Sequence, residues 1–228
     1  SEGKIYDITP IRETQALTNP FTTSSGSSTV TVTDGAHLAS VGDFVTFDNG
    51  SSTNIVDGID FNNEFEILTV PTANTYTINT GTNATGSTAS GGGSTTASYQ
   101  ISIGPSTSTY GYGWGTETWG ASTWDTARSS SNVVVAARNW SLDNFGEDLI
   151  ATVLNGGTFV WDTSGGTGSR ATALSNAPTA SRFSLVSTDT RHLLIFGTET
   201  TIGNTATQDD LLLRFSDRED ATDYTPVA

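Results

Sequence analysis

The chain has no cysteine and no methionine, and its 228 residues include only two histidines and nine basic residues. Without cysteine there is no disulfide framework, no thiolate metal site and no cysteine nucleophile. His37 and His192 stand far apart in sequence, which excludes a multi-histidine metal centre within one chain. No apolar run approaches the ~20 residues that span a bilayer, and the N-terminal residues do not read as a signal peptide. Neither a membrane anchor nor a cofactor is expected. The missing methionine means either that an initiator was removed ahead of Ser1 or that the sequence is a piece of a longer chain. What remains is rich in Ser, Thr and Gly, with 34% hydrophobic residues. Val, Ile, Thr and aromatics are well supplied, which favours a β-rich core.

The charge is one-sided. Nine Lys and Arg against 24 Asp and Glu give a formal net charge of −15. Between Arg12 and Arg128 there is no Lys or Arg, while ten acidic residues fall in that interval. Such a surface opposes binding to nucleic-acid phosphates and to anionic membranes. It serves solubility, or it forms a wall past which a polyanion slides without sticking.

The expected fold is all-β, with a small antiparallel barrel or sandwich placed before part of a β-propeller-like domain. Residues 1–15 form an arm or edge strand, with Ile5-Tyr6-Asp7-Ile8 alternating and Pro10 stopping it. Residues 16–104 carry five strand signals. These are Thr29–Thr33, Phe44–Phe47, Glu64–Val70 (halted by Pro71), Thr75–Asn79 and Tyr99–Ile103. Between the last two, Gly81–Ser98 has no apolar anchor and reads as a linker or an exposed hairpin excursion.

Residues 105–127 form a Gly/aromatic connector. Tyr110, Tyr112 and Trp114 alternate with glycines, and Trp114, Trp119 and Trp124 stand five apart. That spacing fits neither a helix face nor one strand face. These rings, with Trp140, either cap a core, anchor a protein interface or stack on sugars. Residues 128–228 then show a recurring order. Val133–Ala137 and Leu149–Val153 read as strands, with Trp140–Asp148 connecting them, and Asn155-Gly156-Gly157 turns into Phe159–Asp162. Phe183–Val186, His192–Phe196 and Leu211–Asp217 repeat the pattern about fifty residues later, near the blade period of a propeller. Two such blades cannot close a propeller of at least about four, so the chain is expected to be incomplete alone.

Catalytic constellations are weak. Asp143-Asn144-Phe145-Gly146-Glu147-Asp148 lacks the alternating ligands and distal Glu of a calcium loop, and reads as a solvated turn. Asp57, Asp60, Asp209 and Asp210 are weaker still. Glu64 and Glu66 share one strand face, as a paired-carboxylate site would, but such pairs are usually solvated. His37 and His192 read as strand-end hydrogen-bonding residues. No enzyme is expected.

Several stretches, in order along nearly the whole chain, resemble bacteriophage virion structural proteins of the tail nozzle or tail-hub type, similar to the tail tubular proteins of short-tailed phages. They are Tyr6–Arg12, Thr18–Phe21, Val41–Phe47, Tyr112–Trp114 with the Trp-Gly pentads, Trp140–Asp148, Leu174–Pro178 and Arg214–Asp217. The resemblance implies a longer parent chain and a ring of identical subunits, commonly six, around the channel through which the genome leaves. It implies other tail, portal or adaptor proteins as partners, genomic DNA passing without tight binding, and location in the virion tail after assembly in the host cytoplasm. It also implies that the N-terminal arm around Ile5–Ile8 returns to complete a blade. The alternative function is a carbohydrate- or receptor-binding module that uses Trp and Tyr stacking.

Overall fold

A computed structural model describes residues 3–102 and 139–225. The fold is all-β, and the described residues contain no α-helix. Strands β1 (Ile11–Thr18), β2 (Phe21–Thr22), β3 (Thr29–Thr33), β4 (Phe44–Asp48), β7 (Glu64–Thr72), β8 (Thr75–Asn79) and β9 (Ser94–Gln100) make one antiparallel sheet, in the order β1-β9-β4-β7-β8-β3-β2. The short hairpin β5 (Ile55–Val56) and β6 (Ile59–Asp60) stands beside it. Strand β7 is the corner. Its first residues pair with β4 (Val45 with Phe65), and from Ile67 on it pairs with β8, with register shifts along that second ladder. The two halves of the sheet fold over each other as a sandwich, and the strand order does not close a barrel.

Alternation drives this. In β3, Val30 and Val32 point inward and are fully buried, while the flanking threonines alternate outward. In β8, Tyr76 and Ile78 do the same. The core is centred on phenylalanines. Phe21 stacks on Phe61 at 3.8 Å between ring centroids and meets Phe47 edge-on at 5.0 Å.

Four expectations are corrected. Residues 5–8 are not a strand, and Pro10 precedes β1 instead of stopping it. Pro10 has no N–H to pair, but its carbonyl accepts the Ile101 amide at 3.0 Å. Strand β7 runs through Pro71, which lies inside the register irregularity between Thr69 and Thr72, where no ladder donor is required. The Gly81–Ser98 stretch is neither a free linker nor an exposed excursion, because its last residues belong to β9. The rest is laced to residues 19–26, with Thr23 donating its amide to Thr88, Gly26 donating to Ala84, and Phe21 and Gly91 exchanging bonds. Trp140–Phe145 is strand β10, not a connection, although its Asp and Asn have low strand propensity. The Val133–Ala137 expectation lies outside the described residues.

Two antiparallel meanders follow. β10, β11 (Asp148–Val153), β12 (Thr158–Trp161) and β13 (Thr172–Ala173) form the first. β14 (Phe183–Val186), β15 (Leu193–Phe196) and β16 (Leu213–Phe215) form the second. Their inner faces meet around Ile150, Leu193 and Ile195, with Phe145, Val160 and Val186 at the margin. At one side Ser141 and Thr152 bond Ser184, and the Val186 amide donates to Asp143 at 2.7 Å. The described residues, 3–102 and 139–225, belong to one compact unit.

Candidate interface

The cross-strand registers assign every side chain of the meanders to a face. In the second meander Phe183 opposes Phe196, Leu185 opposes Leu194, and Leu194 and Phe196 oppose Phe215 and Leu213. These six therefore share one face, and it is the face turned away from the first meander. Phe215 is 60% exposed, and Phe183, Leu185 and Leu213 are also exposed. Phe183 and Phe196 stack at 4.5 Å. The opposite residues, Ser184, Leu193 and Ile195, are buried against the first meander. This sheet is apolar on both faces, and one face has no cover among the described residues.

The first meander shows the complementary pattern. Trp140, Leu142 and Asn144 alternate with Ser141, Asp143 and Phe145, and the latter set faces β14. Trp140 is 37% exposed and Leu142 57%, and the Trp140 ring lies 6.3 Å from that of Phe159 on the same face. Of the expected interface residues, Trp140 is thus placed on an open sheet face. Tyr110, Tyr112, Trp114, Trp119 and Trp124 lie outside the described residues. The Phe183–Phe215 face was not anticipated, but its signal is present. The run Leu193-Leu194-Ile195-Phe196 is apolar at both parities, as in a strand covered on two sides.

The carboxylates are engaged in local structure. Glu64 accepts from Gln100 and, at 3.2 Å, from Arg170, whose guanidinium also holds the Asp7 carboxylate and the Thr9 carbonyl. The Ala171 amide donates to the Ile8 carbonyl at 3.1 Å, and the Tyr6 ring lies 6.1 Å from Trp161. The N-terminal arm is therefore laid against the edge of the first meander by hydrogen bonds, without becoming a strand. Asp60 accepts the Asn54 and Asn62 amides, which hold its carboxyl below the usual range, the Asn54 bond contributing most. Asp57 accepts from the Thr23 hydroxyl, Asp209 accepts the Leu211 amide, and Asp210 receives a two-pronged bond from Arg182. Asp143 and Gly146 belong to β10 and its turn, with Gly146 at φ 72°. Among the described residues no three His, Asp or Glu are grouped to hold a metal ion.

Two buried polar groups were not foreseen. Asp34 accepts from the Tyr99 hydroxyl, which is 2.8 Å from the Tyr76 hydroxyl. Burial, the largest influence, raises the Asp34 carboxyl above its ordinary value, against the lowering effect of Tyr99. Burial likewise pushes both tyrosines up. Beside them His37 accepts the Ala39 amide on Nδ1 and faces the Thr72 carbonyl with Nε2. His192 faces the Ser216 carbonyl through Nδ1. Glu199 is fully buried and accepts from the Thr179 amide and hydroxyl and the Gly203 amide.

No family model matches the chain, and no curated protein matches it. Among solved structures it is similar to a chain described as "Phage phi92 endosialidase", with a TM-score of 0.33 and 15% identity. The alignment covers 94% of this chain and 33% of that one. A likeness of that size fixes neither the architecture nor the role of this chain. No described helix is long and apolar enough to cross a membrane.

Proposed function

We propose that this chain is a structural component of a bacteriophage tail, acting by assembly with other protein and without catalysis. The observation that carries the reading is the open Phe183–Phe215 face, with Trp140 and Leu142 exposed at the edge of the first meander, on a chain of net charge −15. Such faces, on an otherwise polar and acidic surface, are made for contact with other protein. The ordered resemblance of Tyr6–Arg12, Trp140–Asp148 and Arg214–Asp217 to tail nozzle and hub proteins supplies the setting. The reading is supported by two antiparallel meanders packed by their inner faces, with the N-terminal arm hydrogen-bonded at the edge of the first without becoming a strand. On this reading identical copies form a ring around the exit channel, commonly of six, next to other tail, portal or adaptor proteins. The acidic surface repels phosphates, so DNA passes without being gripped.

Labelling intact virions with antibody to this chain tests the reading, with decoration of the tail expected. Absence of the chain from purified particles overturns it. Glycan binding by the isolated chain, lost on Trp140→Ala or on substitution of Trp114, Trp119 and Trp124, instead favours the carbohydrate-binding alternative.

A further inference from the structure

The sequence holds two Asn-Gly pairs, Asn49-Gly50 and Asn155-Gly156. In such a pair the glycine nitrogen can attack the carboxamide of the asparagine before it, because glycine has no side chain to shield that nitrogen. The fold surrounds the two pairs differently. Asn49 and Gly50 lie in the turn that leaves β4. The Gly50 N–H is donated to the Asp48 carboxylate at 2.7 Å, so a base already holds the proton that the attack must remove. The Asn49 Oδ1 accepts from two donors, the Ser51 amide at 3.0 Å and the Asn62 Nδ2 at 2.9 Å. Both donors point at the oxygen on which negative charge builds when the carboxamide carbon is attacked. The Ser51 bond also folds the Asn49 side chain back over the peptide that follows it. Gly50 is exposed, and nothing lies within 4 Å of where a Cβ would stand, so water has access.

The second pair lacks the base. The Gly156 N–H is donated to the Val153 carbonyl at 2.9 Å, a group too weakly basic to take a proton. Its Asn155 Oδ1 does accept from the Arg182 guanidinium, so the two pairs differ chiefly in what holds the nucleophile's proton.

We infer that the Asn49-Gly50 turn is a site of spontaneous covalent modification, in which Asp48 acts as base and Asn49 is converted to aspartate or isoaspartate. The Gly50 nitrogen bonds to the Asn49 Cγ, and its proton passes to Asp48. The Cγ–Nδ2 bond then breaks, and the amide leaves as ammonia with the proton that Asp48 returns. Water opens the resulting five-membered imide. Cleavage on the side-chain carbonyl gives aspartate, and cleavage on the main-chain carbonyl gives isoaspartate. The sum is one water consumed and one ammonia released. The product carries one more negative charge and has lost the Nδ2 that bonds the Thr53 carbonyl at 3.2 Å.

The test is incubation of the whole 228-residue chain at neutral pH, followed by chymotryptic digestion and mass spectrometry of the peptides that hold Asn49 and Asn155. The readout is the mass gain of amide-to-acid conversion at each position. In the folded chain Asn49 is expected to convert about tenfold faster than Asn155, a modest share of what positioned bases supply in enzymes. In the urea-unfolded chain the two rates should be alike. Asp48→Asn keeps an acceptor for the Gly50 N–H but has no basicity. It should slow conversion at Asn49 by about tenfold and leave Asn155 unchanged. Asn62→Ala removes one donor from Oδ1 and should slow Asn49 several-fold. Equal rates at the two positions in the folded chain overturn the inference, as does an Asp48→Asn chain that converts at Asn49 as fast as the unaltered one or faster. If Asp48→Asn loses its β-sheet circular dichroism, Asp48→Ser, also an acceptor without basicity, is read in the same way.

Discussion

The Arg170 guanidinium lies 3.2 Å from the Glu64 carboxylate and also grips Asp7, so one side chain joins the sandwich, the first meander and the N-terminal arm. All three partners are partly solvated, and pairs of this kind contribute up to about 1 kcal/mol each. Arg170→Ala is therefore expected to leave global stability nearly unchanged but to free the arm. Hydrogen exchange at the Ala171 amide, now bonded to Ile8, should quicken while β11 stays protected. Equal protection in the variant would mean that the arm is held by other contacts.

Gly92 sits at φ 103°, and a Cβ there would collide with the buried Phe21 ring. Gly92→Ala combines a strained backbone with crowding against Phe21, each costing about 1–3 kcal/mol. At roughly 2–4 °C per kcal/mol for a chain of this size, the melting temperature should fall by several degrees or more. Gly93→Ala, at φ 60° with no neighbour within 4 Å, is the control and should cost less.

Glu199 is fully buried, and its carboxylate satisfies three donors from Thr179 and Gly203. Glu199→Ala leaves those donors without partners and opens a cavity, so a loss of about 3–5 kcal/mol is expected. Denaturant unfolding measures it. A loss below ~1 kcal/mol would show that the loop rearranges to satisfy its own donors.

Asp34 gives the fold a pH dependence of definite sign. Its carboxyl is raised in the folded state, chiefly by burial and also by the Glu13 charge, against the lowering effects of Tyr99 and His37. A raised folded value contributes stability that is complete below the ordinary carboxylate range and is lost as pH rises through the raised value. Other carboxylates, such as the half-buried Asp60 and the exposed Asp220, are lowered and act in the opposite direction, so the effect must be read as a difference. Relative to Asp34→Asn, the unaltered chain should lose stability as pH climbs above the usual aspartate value. A constant difference across that range would assign Asp34 an ordinary titration.

Legibility in the sequence followed local pattern. Thr29–Thr33, Thr75–Asn79 and Phe183–Val186 are strands with the boundaries their alternation predicts, because a period of two is set by neighbouring residues alone. Trp140–Phe145 was missed as a strand because Asp143 and Asn144 disfavour one in isolation. Pairing with β11 and the Asp143 bond to Val186 overrule them. The placement of Ala84–Gly91 was not legible because it is held by backbone bonds to the Phe21–Ser27 segment, and backbone donors are the same in nearly every sequence.

Composition and alternation by themselves determined an acidic all-β chain without cysteine chemistry, with its principal strands and turns. They also placed aromatic residues where contact with other protein was expected, Trp140 among them. The tertiary structure alone decided that the N-terminal strands form a sandwich cornered at β7, that Arg170 reaches Asp7 and Glu64, and that Phe183 and Phe215 share an open face. The reason is register. Sequence fixes which residues alternate along a strand, but which strands lie side by side, and so which side chains make one surface, is set by long-range pairing that minimises the apolar area left in water.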